Sequence, residues 1–184
     1  MDGEAWTYRQ QVYLALNKPV GYECSHQPQY HASVFSLLPR PLVERGVQCV
    51  GRLDEDTSGL LLLSDDGQFI HTYSSPKKKV PKVYDVTAKH PVSDAQLAAL
   101  RDGVLLRDER LPIAAVAVER SGERRFLLTV AEGKYHQVKR MVGAAGNRVE
   151  ALCRIAVGGL ALPADLAPGQ WRWLEADDLV RLRA

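Results

Sequence analysis

The stretch "GRLDEDTSGLLLLSDDG", Gly51 to Gly67, constrains the fold more than any other part of the chain. Leu60 to Leu63 form an unbroken apolar run, with Asp54 and Asp56 before it and Asp65 and Asp66 after it. So short a run, bounded by turn residues, reads as a strand closed by an Asp-Asp-Gly turn. Asp54, Asp56, Ser58, Gly59 and Asp65 also fall at positions one, three, five, six and twelve of a calcium-loop pattern. That pattern needs a bidentate glutamate at position twelve and amphipathic helices on both sides. Here position twelve is the shorter Asp65, the leucines fill positions seven to ten, and "RGVQCVGRL" upstream has no helical period. "DTSG" is not the paired Asp-Thr-Gly signature of an aspartic protease. Asp56, Thr57, Ser58 and Gly59 are residues of a capped turn. Asp54 is different: at a strand end two residues from Arg52, a carboxylate stays ionised and points one way. A carboxylate nucleophile or oxocarbenium stabiliser must be held like that.

Elsewhere the pattern is of hairpins and isolated helices. Val12 to Leu16 and "VQCVG" read as strands, and "VPKVYDVTAKH" as a long one. "PIAAVAVER" and "RRFLLTVAE" read as an antiparallel pair joined at "SGE", and "RVEALCRIAVGGLAL" returns as strands. "HASVFSLLP" and "QFIHTYSS" read as short helices ending before prolines, and "EADDLVRLR" as a closing helix. "SDAQLAALRDG" is a helix with Ser93 or Asp94 as its cap and Gly103 as its stop. "KYHQVKRMVGAAG" is a helix with Val138, Met141 and Val142 on one face and Gly146 at its end. Without regular strand-helix alternation, the fold class expected is α+β around a largely antiparallel, mixed sheet with flanking helices.

A chain of 184 residues with 46% hydrophobic and 25% charged residues has enough core to fold without disulfides. Cys24, Cys49 and Cys153 are far apart in sequence and form no CxxC pair, which reads as reduced thiols and a cytoplasmic setting. No apolar run approaches the roughly 20 residues of a membrane span. The formal net charge is only +2, but the cations cluster. Lys77, Lys78, Lys79 and Lys82 fall in "SPKKKVPKVYDV", and Lys134, His136, Lys139 and Arg140 in "EGKYHQVKRM". One lysine run alone reads as a solvated face. Two, each accompanied by a tyrosine (Tyr84 and Tyr135), point to a polyanion with bases to stack on.

"GRLDEDTSGLLLLSDDG", "KVYDV" and "EGKYHQVKRM" together resemble the RsuA/RluB/RluE/RluF family of RNA pseudouridine synthases. "LNKPVGYECS" and "VGGLALPADLAPGQWRWL" extend the resemblance from about Val12 to the C-terminus, and its detail is closest to the branch acting on small-subunit rRNA. The resemblance implies the pseudouridine synthase catalytic fold and isomerisation of uridine to pseudouridine in 16S rRNA, without cofactor or metal. It places the family's catalytic aspartate on Asp54, thought either to attack the anomeric carbon or to take the proton from carbon 2′. It places the aromatic that packs on the target base on Tyr84, the basic partner of the carboxylate on Lys139, and the apolar pocket floor on Val138. It also places the arginine that contacts RNA around the flipped nucleotide on Arg52. Lys77, Lys78, Lys79, Lys82, Lys134 and Arg140 are the expected RNA contacts. Extruding a base costs roughly a few kcal/mol, and stacking on an aromatic returns about 1–3 kcal/mol. His136 is read as structural or RNA-contacting, since the mechanism calls for no proton carrier there.

The expected division is a lead-in over residues 1–11 and a catalytic domain over 12–184, without the N-terminal ribosomal-protein-like RNA-binding domain that many members carry. That absence also fits the large-subunit (23S) branch typified by RluE. The expected partner is ribosomal RNA, bare or within a ribosomal assembly intermediate, and the expected state is a monomer. The competing readings are a non-catalytic RNA-binding module that keeps the fold, and a metal-binding protein.

Overall fold

The computed structural model describes residues 9–184, so residues 1–8 of the expected lead-in lie outside the described residues. In chain order the elements are β1 (Tyr13–Lys18), β2 (Tyr22–Glu23), β3 (Ala32–Ser33), a 3-10 turn (Val34–Leu37), α1 (Arg40–Glu44), β4 (Gln48–Val50) and β5 (Thr57–Ser64). They continue with α2 (Gly67–Ser74), a second 3-10 turn (Pro76–Lys78), β6 (Lys82–Ala88), α3 (Asp94–Asp102), β7 (Ala117–Arg120) and β8 (Arg125–Val130). The last are α4 (Gln137–Ala144), β9 (Val149–Val157), β10 (Leu160–Ala161), β11 (Trp171–Trp173) and α5 (Ala176–Leu182).

The unbroken leucine run is explained by burial on both faces of β5. Leu61 and Leu63 pack with Val12, Leu14, Leu16 and Phe35 on one side. Leu60 and Leu62 pack with Val50, Val157 and Leu174 on the other. Each such side chain contributes roughly 2 kcal/mol of burial. β5 therefore lies inside the main sheet, whose order is β11-β1-β5-β9-β6-β8-β7, with β4 also pairing β5 and β10 pairing β9. All these pairings are antiparallel except β5 with β9. The sheet is thus mixed and largely antiparallel, within the α+β class expected.

The parallel junction is unusually close. Gly59 pairs with Arg154, has φ +107°, and a Cβ there would lie 2.1 Å from the Arg154 carbonyl oxygen. Only glycine permits that approach. One strand over, β9 is bulged against β6. Lys82 pairs Val157 and Val83 pairs Ala156, but Tyr84 pairs Arg154, which leaves Ile155 as the extra residue. The bulge turns Arg154 to the same face as Tyr84. Three adjacent strands, β5, β9 and β6, therefore bring residues from distant parts of the chain together.

Several elements depart from the sequence reading. "HASVFSLLP" makes a two-residue strand and one 3-10 turn capped by the Ser33 side chain. The first strand of the "SGE" hairpin starts only at Ala117, while Ile113 forms an isolated bridge with Val104. α4 begins at Gln137, because His136 before it adopts the left-handed conformation at φ +49°. Val138, Met141 and Val142 are buried as expected. α3 carries the reciprocal Ser93–Gln96 capping box and stops at Gly103.

Candidate active site

Asp54 sits in the turn that leads into β5, where its carbonyl accepts from Thr57 N at 3.0 Å. The turn is held from below by Lys18 at the end of β1, a fully buried lysine. Its Nζ donates to the carbonyls of Thr57 at 2.7 Å, Pro19 at 3.0 Å and Glu55 at 3.1 Å. A buried ammonium is costly unless its protons are bonded, and three carbonyls meet all three. Leu53, next to Asp54, is buried, and its N–H points at Cys24 Sγ at 3.5 Å. With both sides anchored, the Asp54 side chain has a fixed direction.

It points between two side chains of the α4 segment. Asp54 Oδ2 is 3.0 Å from Lys139 Nζ, and Oδ1 is 3.2 Å from His136 Nε2. Lys139 reaches a second carboxylate, Asp56 Oδ1, at 2.6 Å. Asp56 is thus both a turn residue and an ion-pair partner. Burial alone raises the Asp56 carboxyl, but the Lys139 hydrogen bond and charge outweigh it and hold it below the ordinary carboxylate value. Burial likewise lowers Lys139, and the two carboxylates outweigh that and hold its ammonium above the ordinary lysine value. The other acids of the opening motif lie at the far end of β5. Asp65 accepts from Val12 N at 2.8 Å and pairs with Arg45, and Asp66 caps α2. Eight extended residues, roughly 26 Å, separate the two groups, so one calcium ion cannot collect them. Among the described residues no three His, Cys, Asp or Glu side chains are placed to hold a metal.

Across the cleft from Asp54, half-buried Tyr84 projects from β6, and Val138, 5% exposed, lines the wall. Arg52 is exposed at the rim. The expected catalytic residues Asp54, Tyr84 and Lys139 therefore share one cleft with Val138 and Arg52. The expected RNA contacts divide. Lys77, Lys78 and Lys79 are exposed on and just after the second 3-10 turn. Lys134 pairs with Glu109 at 2.7 Å, and Arg140 pairs with Asp108, so their charges are already compensated. Lys82 is not on the basic surface where a phosphate contact belongs. It is 7% exposed, turned into the cleft on the same face of β6 as Tyr84.

Three features escaped the sequence reading. His136 contacts Asp54; a left-handed non-glycine residue leaves no signal in composition or spacing. Arg154, 4% exposed, lines the same cleft; its signal was a lone arginine inside an apolar strand. Cys24 and Cys49, distant in sequence, line one small pocket, where their proximity holds the Cys24 thiol below and the Cys49 thiol above the ordinary value. Both remain free thiols. Among the described residues no helix is long and apolar enough to cross a membrane.

A carboxylate with a fixed cation, in one cleft with an aromatic ring, is an arrangement suited to act on a ribose whose base is stacked on the ring. The RNA pseudouridylate synthase family profile matches residues 12–144. The chain is 41% identical over 172 residues to ribosomal small subunit pseudouridine synthase A of Yersinia pestis, spanning 94% of this chain and 73% of that protein. It is 41% identical over 167 residues to the protein of the same name from Escherichia coli K12, spanning 91% and 72%. A crystal structure of a pseudouridylate synthase superposes with a TM-score of 0.88 at 38% identity, covering 95% of this chain and 75% of that one. The archaeal box H/ACA Nop10–Cbf5 complex shares the fold at 15% identity and a TM-score of 0.58, over 86% of this chain and 51% of the matched one. The profile match and the identity over nearly the whole chain show that this protein belongs to the RNA pseudouridylate synthase family.

Proposed function

We propose that this protein isomerises uridine to pseudouridine in small-subunit ribosomal RNA, with Asp54 acting on the ribose of an extruded nucleotide. The observation that carries the reading is the Asp54 carboxylate clamped between Lys139 and His136 at the mouth of the cleft that Tyr84 lines. In this reading the uridine leaves its helix, its uracil stacks on Tyr84, and the ring nitrogen–sugar bond is placed over Asp54. Lys139 orients the carboxylate and supplies its counter-charge. The bond breaks, the uracil turns within the cleft, and its carbon 5 joins the sugar. Val138 limits the depth of the pocket, Arg52 meets the strand at the rim, and Lys77 to Lys79 hold flanking phosphates. The small-subunit target rests on the names of the relatives at 41% identity. In this reading the protein acts as a monomer in the cytoplasm, on ribosomal RNA that is either bare or within an assembly intermediate.

Tritium release from RNA labelled at uracil carbon 5 tests this. Small- and large-subunit rRNA are compared, each bare and with ribosomal proteins, using wild type and Asp54→Ala. Release from small-subunit RNA alone, lost in the variant, is expected. Release from large-subunit RNA alone moves the protein to the other branch, and binding without release from any RNA makes it a binding module.

A further inference from the structure

The wall of the cleft carries two buried cations that pair with no acid among the described residues. Lys82 and Arg154 line the same cleft as Asp54 and Tyr84: strand alternation puts Lys82 on the face of Tyr84, and the β9 bulge pairs Arg154 with Tyr84. Among the described residues Lys82 Nζ has one long hydrogen bond, to the Val80 carbonyl at 3.3 Å. The Arg154 side chain has one, from Nε to the Leu60 carbonyl at 2.9 Å, which leaves its outer nitrogens as unused donors. Neither forms a salt bridge with a described residue. Burial, and after it the like charge of Arg154, push the lysine below its ordinary value. Two like charges buried side by side are unfavourable unless a ligand supplies electron density between them. RNA phosphates do not fit that need, since a phosphate backbone stays at the surface while these groups are 7% and 4% exposed.

We propose that Lys82 and Arg154 are catalytic residues that bind the carbonyl oxygens of the extruded uracil and stabilise the negative charge left on it when the ring nitrogen–sugar bond breaks. The inference rests on the isomerisation proposed above. When the N1–C1′ bond breaks, its electron pair stays with the ring and spreads over N1, O2 and O4. The sugar is left electron-poor beside Asp54. The two cations hold the charged ring while it turns. Carbon 5 then gives an electron pair to C1′, the carbon 5 proton leaves, and N1 takes up a proton, which discharges the ring. The cations are thus placed where charge develops and act most strongly on the transition state.

The test uses the full chain, with small-subunit RNA containing either uridine or 5-fluorouridine. Nucleoside mass spectrometry follows consumption in a single turnover, and filter binding over a salt series gives affinity. Fluorine at carbon 5 makes uracil a better leaving group, so a lost cation matters less. Lys82→Met is expected to slow uridine consumption by about 10²–10³-fold, the usual loss for one donor to a developing oxyanion. The deficit should be at least several-fold smaller on 5-fluorouridine, with affinity and salt slope unchanged and part of the rate restored by Lys82→Arg. Arg154→Lys keeps a cation but loses the outer guanidinium donors, so it should slow uridine consumption less than Lys82→Met does and again lose less on 5-fluorouridine, which preserves the test should Lys82→Met fail to fold. Equal losses on both bases, no loss, or weaker binding with a salt slope reduced by about one phosphate contact overturn the proposal. Inactivity of the wild type on every RNA contradicts the proposed function instead.

Discussion

The Lys139 ammonium sits 3.0 Å from the Asp54 carboxylate and is shared with Asp56 at 2.6 Å. The cluster of three side chains therefore has a net charge of −1, and Lys139 has little charge to spare for a phosphate. Lys139→Met should lower the single-turnover rate by about 10²-fold or more, as expected when a fixed counter-charge at a reacting group is lost. RNA affinity should stay within a few-fold of wild type. Filter binding alongside tritium release separates the two.

The same sharing makes a titration prediction. In the wild type the Asp56 carboxyl should titrate below the ordinary 3.8, held there against its burial by Lys139. Its folded value is depressed, so its stabilising contribution is present above 3.8 and fades as the pH falls through the folded value. In Lys139→Met burial acts without that opposition, and the carboxyl should move up. Carbon-13 NMR of the Asp56 carboxyl reads both values.

Lys18 makes a stability prediction. It holds three carbonyls of the turn around Asp54, and Lys18→Met removes that donor from all three, of which Glu55 keeps another, from Gly21 N. A loss of roughly 2–4 kcal/mol is expected, since each unsatisfied buried group costs about 1–3 kcal/mol and the site relaxes in part. Urea unfolding checks it.

Gly59→Ala should cost on the order of 3–4 kcal/mol, because the new methyl meets the Arg154 carbonyl in a backbone conformation that disfavours side chains. Replacing Gly51, which also has a positive φ but where a Cβ would meet only Ser74 Cβ at an ordinary 3.9 Å, should cost about 1 kcal/mol. Thermal unfolding of the two variants tests the contrast.

Much of this site was readable before any coordinates, for stated reasons. The strand character of Leu60 to Leu63 is local, and the roles expected of Asp54, Tyr84 and Lys139 came with a resemblance carried by several ordered motifs. The gaps are equally physical. β11 is three half-buried residues, Trp171–Trp173, at the sheet edge, with no alternation to mark it. Lys82 was grouped with its lysine neighbours by charge, although its position two residues before Tyr84 on a strand already required the same face as the tyrosine. Arg154 and His136 depend on a bulge and a left-handed turn, neither of which leaves a pattern in residue type.

The surface lysines give the binding counterpart. Lys77, Lys78 and Lys79 are exposed and form no salt bridge with the described residues, whereas Lys134 and Arg140 are paired with acids. Replacing the three exposed lysines by alanine should reduce the salt slope of RNA binding by about 2, at roughly 0.7 per contact with single-stranded RNA. The double change Lys134→Ala and Arg140→Ala should reduce it by clearly less.

The most direct test of the central claim is a single-turnover assay of Asp54→Asn, which keeps the side chain's shape and removes its charge, with RNA affinity measured on the same preparation. The account predicts affinity within a few-fold of wild type and a rate at least about 10⁴-fold lower, the scale of losing an essential reacting group. A rate within tenfold of wild type would contradict it, because the reaction would then proceed without the carboxylate that the site is built to hold.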